Sequence, residues 1–186
     1  MSRGVIDCDV HPHVNGGLAA VFPYLDEGRR RRLESRKDAD PFFAGGPNLI
    51  FEGALSRFER LKFVLLESGW TWLPSQLWRM DEAWRSGRVG SPWVAKPPSE
   101  YVFERIRFGS EPAGEVLTPA YLETVLEAMH AEQTLLFTSD YPHWDMDSPA
   151  TVFTKIDGAL RQRILRDNAI ETFGPRLAAP QRALVQ

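Results

Sequence analysis

A single cysteine in 186 residues, Cys8, rules out an intramolecular disulfide and any knuckle built on paired thiolates. Whatever metal chemistry the chain performs must use nitrogen and oxygen donors. The thiol falls inside an apolar run, where packing is its expected role. No segment approaches the ~20 consecutive apolar residues of a membrane-spanning helix. The first residues, MSRGVIDCDV, carry charge where a secretory leader would carry its apolar stretch. A cytoplasmic chain without a membrane partner is therefore expected. An excess of positive charge is also lacking. The 22 Lys and Arg against 25 Asp and Glu leave a net charge of -3, which gives no general attraction to nucleic acid or anionic lipid. The one basic run, GRRRRLESRK at 28–37, is bracketed by Asp26, Glu27, Asp38 and Asp40, and it reads as a solvated helix face.

What is present is enough apolar residue, 43%, for one core and one domain over 1–186. Short apolar and β-branched runs at 4–10, 61–66 (LKFVLL), 102–108 (VFERIRF) and 134–139 (TLLFTS) predict strands. Helical periodicity covers 48–58, 74–86, 118–131 and 157–173, with start signals at Pro74, Thr118–Pro119 and Asp157. Strands alternating with helices predict an α/β fold with a parallel sheet, whose functional groups gather at the carboxyl ends of the strands. Those ends read DVHPH, ESGWTW, GSEP and SDYPHWD, each carrying polar or ionisable residues. Residues 38–47, with two prolines, two glycines and no periodicity, read as a connector. The tail from Pro175 is expected to trail over the surface.

On an extended strand, Asp7, Asp9, His11 and His13 project to one face and Ile6, Cys8 and Val10 to the other. Two imidazoles two residues apart can ligate one divalent ion, although an exposed histidine pair is the plainer reading. In LLFTSDYPHWD, 135–145, an apolar strand ends on Ser139 and Asp140. That places a carboxylate at the mouth of the sheet, unless Asp140 only caps the turn before Pro142.

Taken together, IDCDVHPH, LKFVLLESGWTWLPSQLWRMD, PPSEYVFERIRFGSEP, LLFTSDYPHWD and ILRDNAIETFG resemble the amidohydrolase-related family. These are metal-dependent (β/α)8 TIM barrels that include aminocarboxymuconate-semialdehyde decarboxylase. The resemblance runs over residues 4 to about 30 and 48 to 174. It implies that His11 and His13 are metal ligands, and that Asp140 is a ligand or proton-transfer carboxylate. It also implies a divalent cofactor, zinc before others, which would lower the pKa of a water toward ~7. The implied activity is hydrolysis of a small organic molecule, aromatic or carboxylated, with decarboxylation as the alternative. Decarboxylating members carry a catalytic histidine where this chain has Glu67, a carboxylate that could act as general base or simply face water. His143 is implied to lie in a loop near the substrate.

A (β/α)8 barrel takes ~250 residues. The resemblance therefore implies a partial barrel, with strands matching the family's first, sixth, seventh and eighth. The gap falls near 38–47, and a further metal-binding histidine is missing. Trp70 and Trp144 directly follow site motifs and are candidates for walls of an apolar or aromatic pocket. Trp78 and Trp84 are expected to pack or to form an interface, and His130 to stabilise a helix C-terminus. A rival reading is an inactive half barrel that pairs with a homologue or with a second copy of itself to cover its open edges.

Overall fold

The computed structural model describes Val5, Ile6, Cys8 and residues 49–87, 90–113 and 118–178. The chain divides into two compact units, Met1–Asp9 with Leu49–Gln186, and Val10–Asn48. The second lies outside the described residues, and with it His11, His13, the basic run at 28–37 and the connector at 38–47.

The first unit is a mixed α/β structure. Its elements are α1 (Ala54–Arg57), β1 (Phe63–Leu65), α2 (Leu73–Arg85), α3 (Pro98–Arg105), β2 (Ile106–Gly109), α4 (Pro119–Ala128), α5 (Ala131–Thr134) and β3 (Leu135–Leu136). There follow α6 (Gly158–Gln162), a π-helical turn (Arg163–Asp167) and α7 (Asn168–Phe173). The three strands form a parallel sheet in chain order, with Phe63 opposite Ile106, Leu65 opposite Phe108 and Phe108 opposite Leu135. Beyond β3, the Cys8 N–H donates to the Phe137 carbonyl at 3.0 Å, and Cys8 packs with Leu136 and Ala169 as expected of a buried thiol.

Chemistry explains where the elements begin. Pro stands in the first turn of α2, α3 and α4, where its missing N–H costs nothing and its fixed φ suits the helix. Asp157 caps α6, its carboxylate accepting from the Ala159 and Leu160 N–H groups at 2.9 and 3.0 Å. Asn168, in the closing motif, is 1% exposed. It donates to the carbonyls of Ala131 and Leu135 at 3.0 and 2.8 Å, tying α7 to the entry of β3.

Four expectations need correction. The helix expected over 48–58 breaks at Gly53, whose φ of 78° precedes the short α1. Residues 102–105 are helical, not strand. Prolines 97 and 98 start a helix that buries Tyr101 and Val102 on the core, and this tertiary burial overrides the local β-propensity of VFER. The helix expected over 118–131 breaks at His130, whose φ of 54° separates α4 from α5. The tail does not simply trail: Pro175–Ala178 form a 3-10 turn, and Leu177 packs against the cluster of Cys8, Leu136 and Ala169. Trp84 packs on the core and donates to the Val94 carbonyl at 2.8 Å, while Trp78 is exposed. Among the described residues no helix is long and apolar enough to cross a membrane.

Candidate active site

All three strands point their carboxyl ends the same way, and a set of short hydrogen bonds locks those ends together. The Ser110 N–H donates to the Leu136 carbonyl at 2.8 Å. The Thr138 N–H donates to Ser110 Oγ at 3.1 Å and the Glu111 N–H to Thr138 Oγ1 at 2.9 Å. Trp70 Nε1 donates to the Ser110 carbonyl at 3.0 Å. Close approach is possible because Gly109 has no side chain. A Cβ there would meet Thr138 Oγ1 at 2.9 Å, Thr138 Cγ2 at 3.0 Å and Leu66 Cδ2 at 3.2 Å.

The chain leaves β1 through Glu67 at φ 53°, and β3 through Asp140 at φ 58°. Side chains with a Cβ adopt this left-handed region at a cost of order 1–3 kcal/mol, and such strain collects at functional sites. Asp140 is 6% exposed. Its Oδ2 lies 2.6 Å from His143 Nδ1, and the backbone repeats the contact, the His143 N–H donating to the Asp140 carbonyl at 2.9 Å. The bond to Asp140, then its charge, raises the His143 pKa, with Glu67 and Asp145 adding to the shift. The turn closes where the Asp147 N–H reaches the Ser139 carbonyl at 2.9 Å.

Glu111 is the residue the motifs did not single out. It stands two residues beyond β2, 6% exposed. Burial pushes its carboxyl up to about 7, helped by the charges of Asp140, Asp145, Asp147 and Glu67. Burial likewise raises Asp147, against the opposing effect of the Ala113 N–H. In sequence the only signal was a polar GSEP at a strand end; the burial depends on the register that sets Glu111 beside Thr138.

The expected site residues therefore separate into groups. Asp140 and His143 are in contact, and Glu67 is near enough for its charge to act on His143 and Glu111. Trp70 and Trp144 are not brought together on a wall. Trp70 is 1% exposed, in the core, with its ring 6.2 Å from Phe153. Trp144 is 94% exposed. Two grooves among the described residues, about 700 and 540 Å³, lie elsewhere. They are lined by Arg57–Leu61 and by residues around Tyr101 and Arg105, at the amino ends of the strands. Asp140 is buried four residues beyond β3 and supplies one carboxylate. No group of three His, Cys, Asp or Glu able to hold an ion exists among the described residues.

Residues 43–174 match the family model described as amidohydrolase, and the chain belongs to that family. Its members are generally metal-dependent. Among solved structures, the chain is similar to 5-carboxyvanillate decarboxylase from Sphingomonas paucimobilis, at 24% identity and a TM-score of 0.52 over 68% of this chain. It is also similar to an amidohydrolase from Mycobacterium avium subsp. paratuberculosis, at 20% identity and a TM-score of 0.56 over 88% of this chain. Both structures have TIM-barrel-like amidohydrolase folds, to which the mixed α/β chain with its small parallel sheet is similar. The chain spans only 38% and 39% of the two structures. No curated protein matches it.

Proposed function

We propose that this chain is a metal-dependent hydrolase acting on a small organic molecule at the carboxyl edge of its sheet. The observation that carries the reading is Asp140. In a member of the amidohydrolase family, a buried carboxylate in a strained left-handed conformation stands at the end of a parallel strand. Packing alone gives no reason to put one there. We assign His11, His13 and Asp140 as the ligands of a divalent ion, zinc first, with His11 and His13 resting on the sequence motif. When bound, the ion would acidify a water molecule.

The remaining steps belong to the chain. Asp140 Oδ2 holds His143 by Nδ1, which fixes the imidazole beside the carboxylate at this edge. Glu67, exposed at the end of β1, is the candidate general base. The sheet corresponds in this reading to the family's sixth, seventh and eighth strands. Its support is the strand order β1-β2-β3 together with the bond from Cys8 to Phe137, which sets the first segment beside the last strand as closure of a barrel requires.

Decarboxylation is the nearest variant, since one of the similar structures is a decarboxylase. A non-catalytic role, as a partial barrel that pairs with another chain, is the second reading, and it draws on the short span of the matched structures. Elemental mass spectrometry of the purified chain separates these readings. About one zinc, manganese or iron per chain, lost in His11→Ala and in Asp140→Ala, is expected. A chain that takes up no metal from excess ions would favour the non-catalytic reading, and full occupancy in His11→Ala would remove that ligand assignment.

A further inference from the structure

The two margins of the sheet differ. In the order β1-β2-β3, β2 is paired on both sides, and β3 meets the Cys8 segment through the 3.0 Å bond at Phe137. Among the described residues no strand lies beyond β1. Burial follows the same gradient: every residue of β2 and β3 is buried, whereas Phe63, Val64 and Leu65 are only half-buried.

An open strand edge presents a row of N–H and C=O groups to any chain that can pair with it, and folds blunt such edges with proline, charge or a bulge. Residues 63–66, FVLL, contain neither proline nor charge. The pairing with β2 runs without a bulge from Phe63 to Leu65. Charges stand only at the ends of the run, with Arg60 and Lys62 before it and Glu67 after it. They set the direction of a partner strand. A parallel copy would bring like charges together, whereas an antiparallel copy sets Arg60 and Lys62 of each chain against Glu67 of the other.

We infer that the edge of β1 is an interface with a second copy of this chain, formed by antiparallel pairing about a two-fold axis at Val64. In that register Val64 faces Val64 of the second copy, and Phe63 faces its Leu65, so the cross-strand pairs are apolar on both faces of the sheet. The two sheets become one, and neither keeps the open edge. The contact is short, and a weak dimer follows, with a Kd of about 10–100 µM. The inference gives the pairing reading above a surface and an occupant. Its test reads mass and cross-links, so it can fail without touching the metal assignment, and metal uptake can fail without touching it.

Sedimentation of the purified chain over about 1–200 µM should show a reversible monomer–dimer equilibrium. Lys62→Glu and Glu67→Lys each place like charges at both ends of the pair, and each should weaken the dimer about tenfold. Lys62 also donates to the Glu171 carbonyl at 3.2 Å, so the variant that carries both changes is the deciding one. It should recover most of the lost affinity, which local damage in either single variant would not allow. Val64→Cys should form an inter-chain disulfide on mild oxidation, because opposed Cβ atoms lie about 5 Å apart across such a pair. The native Cys8 is buried, and Trp78→Cys, at a position 78% exposed on α2, is the control that should stay uncross-linked. The inference is overturned by a monomer throughout the range, by a Val64→Cys chain that cross-links no faster than Trp78→Cys, or by a double variant no tighter than the single ones.

Discussion

The two ends of the sheet treat charge in opposite ways. At the amino ends, charged groups are held by carboxylates and carbonyls, although burial lowers the Arg107 pKa and leaves Arg105 Nε without a partner among the described residues. Arg163 grips Glu171 with two bonds of 2.7 and 2.8 Å and the Glu132 carbonyl with a third at 2.7 Å. Arg105 donates to the carbonyls of Leu55 and Phe58. Arg107, buried on β2, donates to the carbonyls of Phe103 and Ile106. At the carboxyl ends, acids crowd together around Glu111 and two residues leave their strands with positive φ. One end is built to hold the fold together; the other carries unfavourable terms that only a ligand, a proton or an ion would relieve.

Three measurements sharpen or break that contrast. The largest effect is expected from Glu111→Gln. The carboxyl is raised by burial to about 7 in the folded chain, against ~4.3 unfolded. Its cost is therefore absent below pH ~4, grows between the two values and is complete above pH 7. The variant should be more stable than the parent by up to about 3 kcal/mol at pH 8 and indistinguishable from it near pH 4, in paired urea melts. Equal stability at pH 8 would mean the carboxyl end carries no such burden.

Next comes Gly109→Ala. The new methyl group meets Thr138 and Leu66 at about 3 Å, and a loss of about 1–3 kcal/mol is expected from overpacking. A neutral result would show that the interlocked strand ends have slack.

The smallest effect belongs to the paired end. Glu171→Gln removes a carboxylate whose pKa is lowered chiefly by its bond to Arg163. Because that pKa is depressed, its contribution is present above the unfolded value and is lost as pH falls through the folded one. The pair is largely exposed on the Glu171 side, so a loss of about 0.5 kcal/mol at pH 7, vanishing in acid, is expected.

Much of this was legible in the residues. The parallel α/β arrangement, three of the strand positions, the helix starts at proline and at Asp157, and Asp140 at the last strand end all follow from local rules, because turn chemistry and periodicity are properties of neighbours in sequence. The family followed from motifs in order. Three matters were not legible. Tyr101 and Val102 lie in a helix because their burial against the core outweighs a β-prone segment. Trp70 follows a site motif yet turns inward, its indole N–H satisfied by the Ser110 carbonyl. Glu111 looks like any acid after a strand. Sequence by itself determined the order of elements and which carboxylate ends β3. Only the tertiary structure decided which polar groups lose their water, because burial is set by cross-strand neighbours such as Thr138 and Gly109, far along the chain from the groups they enclose.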